Sequence, residues 1–196
     1  MSRGYVQVYT GNGKGKGKTT AAIGLAIRSL GAGKRVLLLQ FMKNKTYSEH
    51  AVLAGLSPDL TVETMGKPFF VAHEGMLSAA QLAKWGEDVV VFPPGQPPRD
   101  YLDTMRRGVD RAKQAVGSGE YDLVILDEIN VALFFGLATW EQVQAIIRGK
   151  RETVELVLTG RGAPPELLQA ADLVTEMREV KHYYHDGVEA RLGIEN

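Results

Sequence analysis

The stretch Thr10–Thr20 reads TGNGKGKGKTT and concentrates the residue types that bind phosphate. Gly11, Gly13, Gly15 and Gly17 leave room for successive backbone N–H groups to curl around oxyanions. Lys18 reaches a terminal phosphate, and the Thr19 hydroxyl is placed to coordinate Mg²⁺. An apolar run (Tyr5, Val6, Val8, Tyr9) precedes the loop and a helical run (Ala21 to Leu30) follows it. A helix starting near Lys18 aims its free N–H groups and positive dipole end at the same anion. The spacing departs from the common pattern: Gly15-Lys16 is followed by Gly17, so Gly17-Lys18-Thr19 is the working triplet.

Tyr121–Glu128 reads YDLVILDE, an apolar strand ending in two acids. Ligands of parallel α/β sheets sit at the carboxyl ends of the strands. Asp127 and Glu128 are therefore expected near the phosphates, holding Mg²⁺ or a metal-bound water. Leu158–Gly162, LTGRG, also leaves a strand and brings Arg161 to that edge. There Arg161 is either a planar multi-donor cation for phosphate or a solvated turn arginine. Phe69 and Phe70, in an irregular segment, either stack on a flat ligand or close the core. His50, His73, His182 and His185 lack metal-ligand spacing. Trp85 and Trp140 are expected to pack against the core.

The elements that position these residues follow from the hydrophobic pattern. Strands are expected at 5–9, 35–41, 60–64, 123–126, 155–159 and 173–176, and helices at 19–30, 99–116, 139–147 and 165–171. The alternation implies βαβ units around a mostly parallel sheet with helices on both faces, an α/β, P-loop NTPase-like (RecA-like) fold. Residues 1–196 read as a single nucleotide-binding domain with a loop-rich insertion around 66–98. Within it, 78–85 has the pattern of a short helix, 89–92 that of a strand or buried loop, and Pro93–Pro98 (PPGQPP) that of a stiff connector. Such an insertion serves as a lid or binding surface, or is a surface excursion.

Composition narrows the function classes. The 23 basic and 23 acidic residues cancel, which argues against binding nucleic acid or an anionic membrane by bulk charge. With no cysteine, thiolate metal sites, disulfides and thiol catalysis are excluded. No apolar run reaches membrane-spanning length and no signal peptide is visible, so a cytoplasmic location is expected.

TGNGKGKGKTTAA, QFMK (Gln40–Lys43), YDLVILDEINVAL, LTGRG and ADLVTEMREVKHYYHDGVEARLGIE together closely resemble the P-loop class of ATP:corrinoid (cob(I)alamin) adenosyltransferases. The resemblance covers most of the chain outside Gly66–Gly108. It implies transfer of the 5′-deoxyadenosyl group of ATP to the Co(I) of a reduced corrinoid in adenosylcobalamin synthesis, with triphosphate released. Co(I) attacks C5′, so no general base is required. The alternative is a P-loop kinase or ATPase acting on the γ-phosphate.

Carried over by residue, the resemblance implies ATP binding by Gly11, Asn12, Gly13, Lys14, Gly15, Lys16, Gly17, Lys18, Thr19, Thr20 and Arg161. It implies Mg²⁺ at Thr19, Asp127 and Glu128, catalytic roles for Lys18, Thr19 and Glu128, and a corrinoid face at Phe69 and Phe70. It further implies a homodimer and a reduced flavoprotein as electron donor. Three departures stand out: an additional Gly-Lys pair in the loop, Val71 in place of an aromatic, and a start close to the first strand where some relatives carry a covering helix. The insertion 75–98 is then the expected cover.

Overall fold

The computed structural model describes residues 2–11, 15–44 and 47–195. Six strands form one parallel sheet in the order β3-β2-β6-β7-β1-β8. They are β1 (Val6–Thr10), β2 (Val36–Phe41), β3 (Leu60–Met65), β6 (Leu123–Asp127), β7 (Glu155–Thr159) and β8 (Leu173–Glu176). Side chains of a strand alternate between faces, and here both faces are buried. Val36 and Leu38 of β2, Leu123 and Ile125 of β6, and Val157 of β7 pack with Ala22 and Ala26 of α1 (Lys18–Gly31). Their neighbours Leu37, Leu39, Phe41, Val124, Leu126, Leu156 and Leu158 face the opposite layer. That layer is α4 (Arg99–Ser118), α5 (Ile129–Phe134), α6 (Trp140–Gly149) and α7 (Pro165–Ala170). The fold is thus the expected α/β sheet with helices on both faces.

The expected helix at 99–116 is α4, whose apolar stripe Met105, Val109, Ala112 and Val116 is buried with Leu102 packed against the same core. Two short helices lie outside the sequence-based expectation. α2 (Ser48–Leu53) has one apolar turn, and α5 is apolar but for Asn130, so neither shows a helical period. Residues 66–98 are more ordered than their composition suggests. β4 (Phe70–His73) and β5 (Val89–Phe92) pair in parallel as a separate two-stranded sheet, connected through α3 (Ala79–Trp85) and a 3₁₀ turn. Ser78 and Gln81 make a reciprocal capping box at the start of α3. Trp140 packs against the main core as expected. Trp85 instead lies edge-on to Phe70, with centroids 4.9 Å apart, because α3 belongs to the small sheet.

Candidate nucleotide and cofactor site

The ends of β1, β2, β6 and β7 converge at one sheet edge, and the phosphate loop leaves from the first of them. Gly11 and Gly17 are required by their surroundings. A Cβ on Gly11 would stand 2.3 Å from the Met177 carbonyl oxygen. Gly17, the residue preceding α1, has φ of 112°, which L side chains rarely adopt. The first turn of α1 carries no acidic residue, so its N–H groups and dipole are left for a ligand. Lys18 is 6% exposed, and its Nζ donates to the Gly15 carbonyl at 2.5 Å. Burial pulls its pKa below the usual lysine value, against the opposing charge of Glu128. Thr20 is exposed on the same turn, and the Lys16 ammonium pairs with Glu195 at 2.8 Å. Asn12, Gly13 and Lys14 lie outside the described residues.

Asp127 is fully buried at the end of β6 and is the hub of the site. Its Oδ1 accepts from Thr159 Oγ1 at 2.6 Å and from Thr19 Oγ1 at 2.9 Å. Its Oδ2 accepts from Gln40 Nε2 and from Lys43 Nζ, both at 3.0 Å. Burial alone would raise this carboxyl's pKa, but Lys43 and the hydrogen bonds hold it below the usual value. Glu128 follows in the left-handed region, with φ of 62°. Its N–H donates to Thr159 Oγ1 at 3.0 Å. Its carboxyl makes no hydrogen bond or ion pair to a described residue, and burial followed by the charge of Asp127 pushes its pKa up. Strained non-glycine backbone of this kind costs on the order of 1–3 kcal/mol and clusters at functional sites.

Thr19 Oγ1, Asp127 and Glu128 offer only hard oxygen donors, and a cation, Lys43, already sits against two of them. The donor set therefore fits Mg²⁺, which is bound through one or two carboxylates plus substrate phosphates. Among the described residues, no group of three or more His, Cys, Asp or Glu could hold a metal ion alone. Arg161 is exposed in the loop after β7, near enough for its charge to act on both Lys18 and Glu128. That loop is tied to the base of the phosphate loop by Gly162 N–H to Gly11 O at 3.2 Å and Ala163 N–H to Thr10 Oγ1 at 3.2 Å.

A cavity of about 340 Å³ adjoins this cluster, lined by Met42, Lys43, Asn44, Tyr47, Lys67, Pro68, Phe69, Phe70 and Asp88. Phe69 and Phe70 both line it but differ in setting. Phe69 stacks edge-on against Tyr101 at 5.6 Å and joins the core, while Phe70 is 51% exposed. Tyr101 is buried enough that its hydroxyl pKa is pushed up to about 12. Phe69 thus closes the core, one of the two alternatives, while Phe70 stays exposed beside Trp85. The histidines form no common cluster: His50 meets Gln40 at 2.5 Å behind the Asp127 cluster, His73 sits among Phe92, Phe134 and Phe135, and the His182 and His185 rings lie 6.4 Å apart near the C-terminus.

Gln40, Lys43 and Thr159 went unassigned from the sequence, although all three touch Asp127. The only signal for the first two was the QFMK segment at the end of β2. The register that pairs Gln40 with Asp127 supplies the rest.

The family model described as ATP:corrinoid adenosyltransferase BtuR/CobO/CobP matches residues 2–196. A corrinoid adenosyltransferase of Pseudomonas aeruginosa is 32% identical over 98% of this chain and 84% of its own length. One of Escherichia coli is 30% identical over 98% of this chain and 86% of its own length. An uncharacterized Nostoc protein is 34% identical over 90% of this chain, which spans only 44% of that protein's length.

Proposed function

The chain belongs to the ATP:corrinoid adenosyltransferase family, and from that premise we propose that the loop before α1, the Asp127 cluster and the adjoining cavity hold its two substrates side by side. The family's reaction joins the 5′-deoxyadenosyl group of ATP to the Co(I) of a reduced corrinoid. A Co–C bond forms, the C5′–O bond breaks, and triphosphate leaves with the electron pair of that bond. The protein's task is to hold and neutralise a leaving group whose charge grows in the transition state, the situation in which preorganised donors contribute most.

The observation that carries this reading is the buried Lys18, whose ammonium has, among the described residues, only a carbonyl of its own loop as hydrogen-bond partner. A triphosphate oxygen is the counterion that position lacks. The first-turn N–H groups of α1 and the exposed Lys16 and Arg161 add donors of the same sign. Asn12, Gly13 and Lys14 are proposed to complete the cradle together with Gly11, Gly15, Gly17 and Thr20. Thr19, Asp127 and Glu128 would hold Mg²⁺, which supplies charge neutralisation on the phosphates when bound. No residue is asked to act as a general base, because the nucleophile carries no proton.

The corrinoid is proposed to enter the cavity, with the exposed ring of Phe70 and the edge of Phe69 against its flat face. Support comes from the position of the cavity: Lys43 both lines it and touches Thr19 and Asp127. Residues 66–98 are proposed as the cover of the site within a single domain. Their α3 is joined to the C-terminal run through an ion pair of Lys84 with Glu189. A homodimer is proposed on the resemblance and on the apolar surface that the C-terminal run exposes, including Leu173, Val174, Val180 and Leu192. A reduced flavoprotein as electron donor and a cytoplasmic location are proposed on the resemblance. Among the described residues, no helix is long and apolar enough to cross a membrane.

The test is an anaerobic reaction of Co(I) corrinoid with ATP and Mg²⁺, followed by its visible spectrum. A light-sensitive Co–C product supports the reading, and a Co(I) spectrum that persists in the presence of folded protein and ATP contradicts it.

A further inference from the structure

Lys43 has no part in the phosphate cradle, yet the fold makes a specific place for it. Its side chain is 11% exposed, with Nζ 3.0 Å from Asp127 Oδ2, 3.3 Å from Thr19 Oγ1 and 4.0 Å from Glu49 Oε1. The ring of Tyr47 lies 4.9 Å below the ammonium. Burial lowers the pKa of this group, but Asp127 outweighs it and the group stays protonated. Among the described residues, only Met42 and Glu128 are non-glycine residues with positive φ. One immediately precedes Lys43 and the other immediately follows Asp127, so the strained backbone brackets this pair.

We propose that Lys43 is the resident cation of the metal site: it holds Thr19 and Asp127 in their geometry before nucleotide arrives, and yields that place to Mg²⁺ by turning towards the cavity wall at Tyr47. The inference rests on the reading of Thr19, Asp127 and Glu128 as metal ligands. Its physical basis is charge. A divalent ion bound to Thr19 Oγ1 would sit within a few ångströms of an ammonium that is now hydrogen-bonded to that same oxygen, and like charges so close in a partly buried site repel. The ammonium has an exit, because Lys43 itself lines the cavity. Lys43 is thus a positioning residue that connects metal arrival on one side to a change in the wall of the cavity on the other. Glu49, already 4.0 Å from the ammonium, is a carboxylate that can keep it paired.

Two measurements test this. In the first, binding of Mn²⁺ alone is followed by electron paramagnetic resonance for the wild type, Lys43→Met and Lys43→Arg. Removing the competing charge is expected to tighten Mn²⁺ binding by about tenfold or more in Lys43→Met, the scale set by one charge at this distance. Lys43→Arg, which keeps the charge, is expected to stay within about twofold of wild type on the same reasoning. Equal affinity in all three proteins, or weaker binding in Lys43→Met, overturns the proposal. Absence of Mn²⁺ binding to any of them, even with ATP added, removes the metal-site reading and the inference with it. The second measurement uses only the wild type, so it does not depend on a variant folding. Pulse acylation of lysines with mass-spectrometric readout is expected to show Lys43 protected in the free protein and several-fold more reactive with Mg²⁺ and ATP, without corrinoid. Unchanged or lower reactivity of Lys43 overturns the proposal.

Discussion

Two sets of ion pairs flank the nucleotide site, and they differ in burial more than in chemistry. At the sheet edge, Lys43 meets Asp127 with side chains 11% and 0% exposed. Along the C-terminal run, Glu195, 16% exposed, gathers the open side chains of Lys16 and Arg191 (41% and 52%) and the Tyr183 hydroxyl. These partners, Arg191 foremost, hold the Glu195 carboxyl well below the usual carboxylate range. Counting contacts would rank the two clusters as equals. Buried charges, however, have lost their water and depend on one another, so removal of one partner is costly. Exposed pairs are screened by salt and contribute little. The comparison suggests a division of labour. The Asp127 end of the site is held by buried contacts, while Lys16, just before α1, is held by a more exposed pair.

The largest expected effect falls on the buried side. Asp127→Ala strands Lys43 and leaves Gln40 and Thr159 without their acceptor. Urea denaturation should show a loss of about 3–5 kcal/mol, the cost of breaking a buried pair. A loss near zero would place this cluster with the surface pairs and dissolve the contrast. Next comes Lys18→Ala, which removes one charged donor to the leaving triphosphate. Turnover should fall by an amount equivalent to about 2–4 kcal/mol in the transition state, with the circular dichroism spectrum retained. Near-wild-type turnover would refute the Gly17-Lys18-Thr19 assignment.

Glu128→Gln is smaller in stability and opposite in sign. The folded-state pKa of Glu128 is raised, so the folded chain binds this proton more tightly than the unfolded chain does. Stability of the free protein should therefore decline as pH rises from the usual carboxylate value through the raised one. The Gln variant escapes that decline. It should melt higher than wild type at neutral pH, with the difference closing in acid, while Mg²⁺-dependent activity is lost. A variant that melts lower at neutral pH would mean that Glu128 is paired in the free protein. The smallest effect is expected from Glu195→Gln. Its melting temperature should match wild type in moderate salt, and a cooperative drop would show that the C-terminal pairs fix the loop after all.

The same contrast explains what could be read in advance. The phosphate loop, the strand ending in Asp127-Glu128 and Arg161 after β7 are local patterns of residue type and spacing, and each arrives at the sheet edge where the strand rule puts it. Lys43, Gln40 and Thr159 are single residues at the ends of β2 and β7. Only the parallel register brings them to Asp127, and no periodicity announces that. In the small sheet, α3 and β5 fall where 78–85 and 89–92 were read as a helix and as a strand or buried loop, but β4 and its pairing were illegible for a similar reason. Its strands are four residues each, and the pairing spans the whole of α3. Phe69 and Phe70 are neighbours in sequence, but β4 begins between them, so one ring joins the core and the other turns outward beside Trp85.

The central claim is that this phosphate site holds a leaving group and not a donor of phosphoryl groups. Phosphorus NMR of the anaerobic reaction with ATP, Mg²⁺ and Co(I) corrinoid tests it most directly. The account predicts inorganic triphosphate in step with Co–C bond formation. Appearance of ADP and phosphate in its place, with the corrinoid unalkylated, would contradict it.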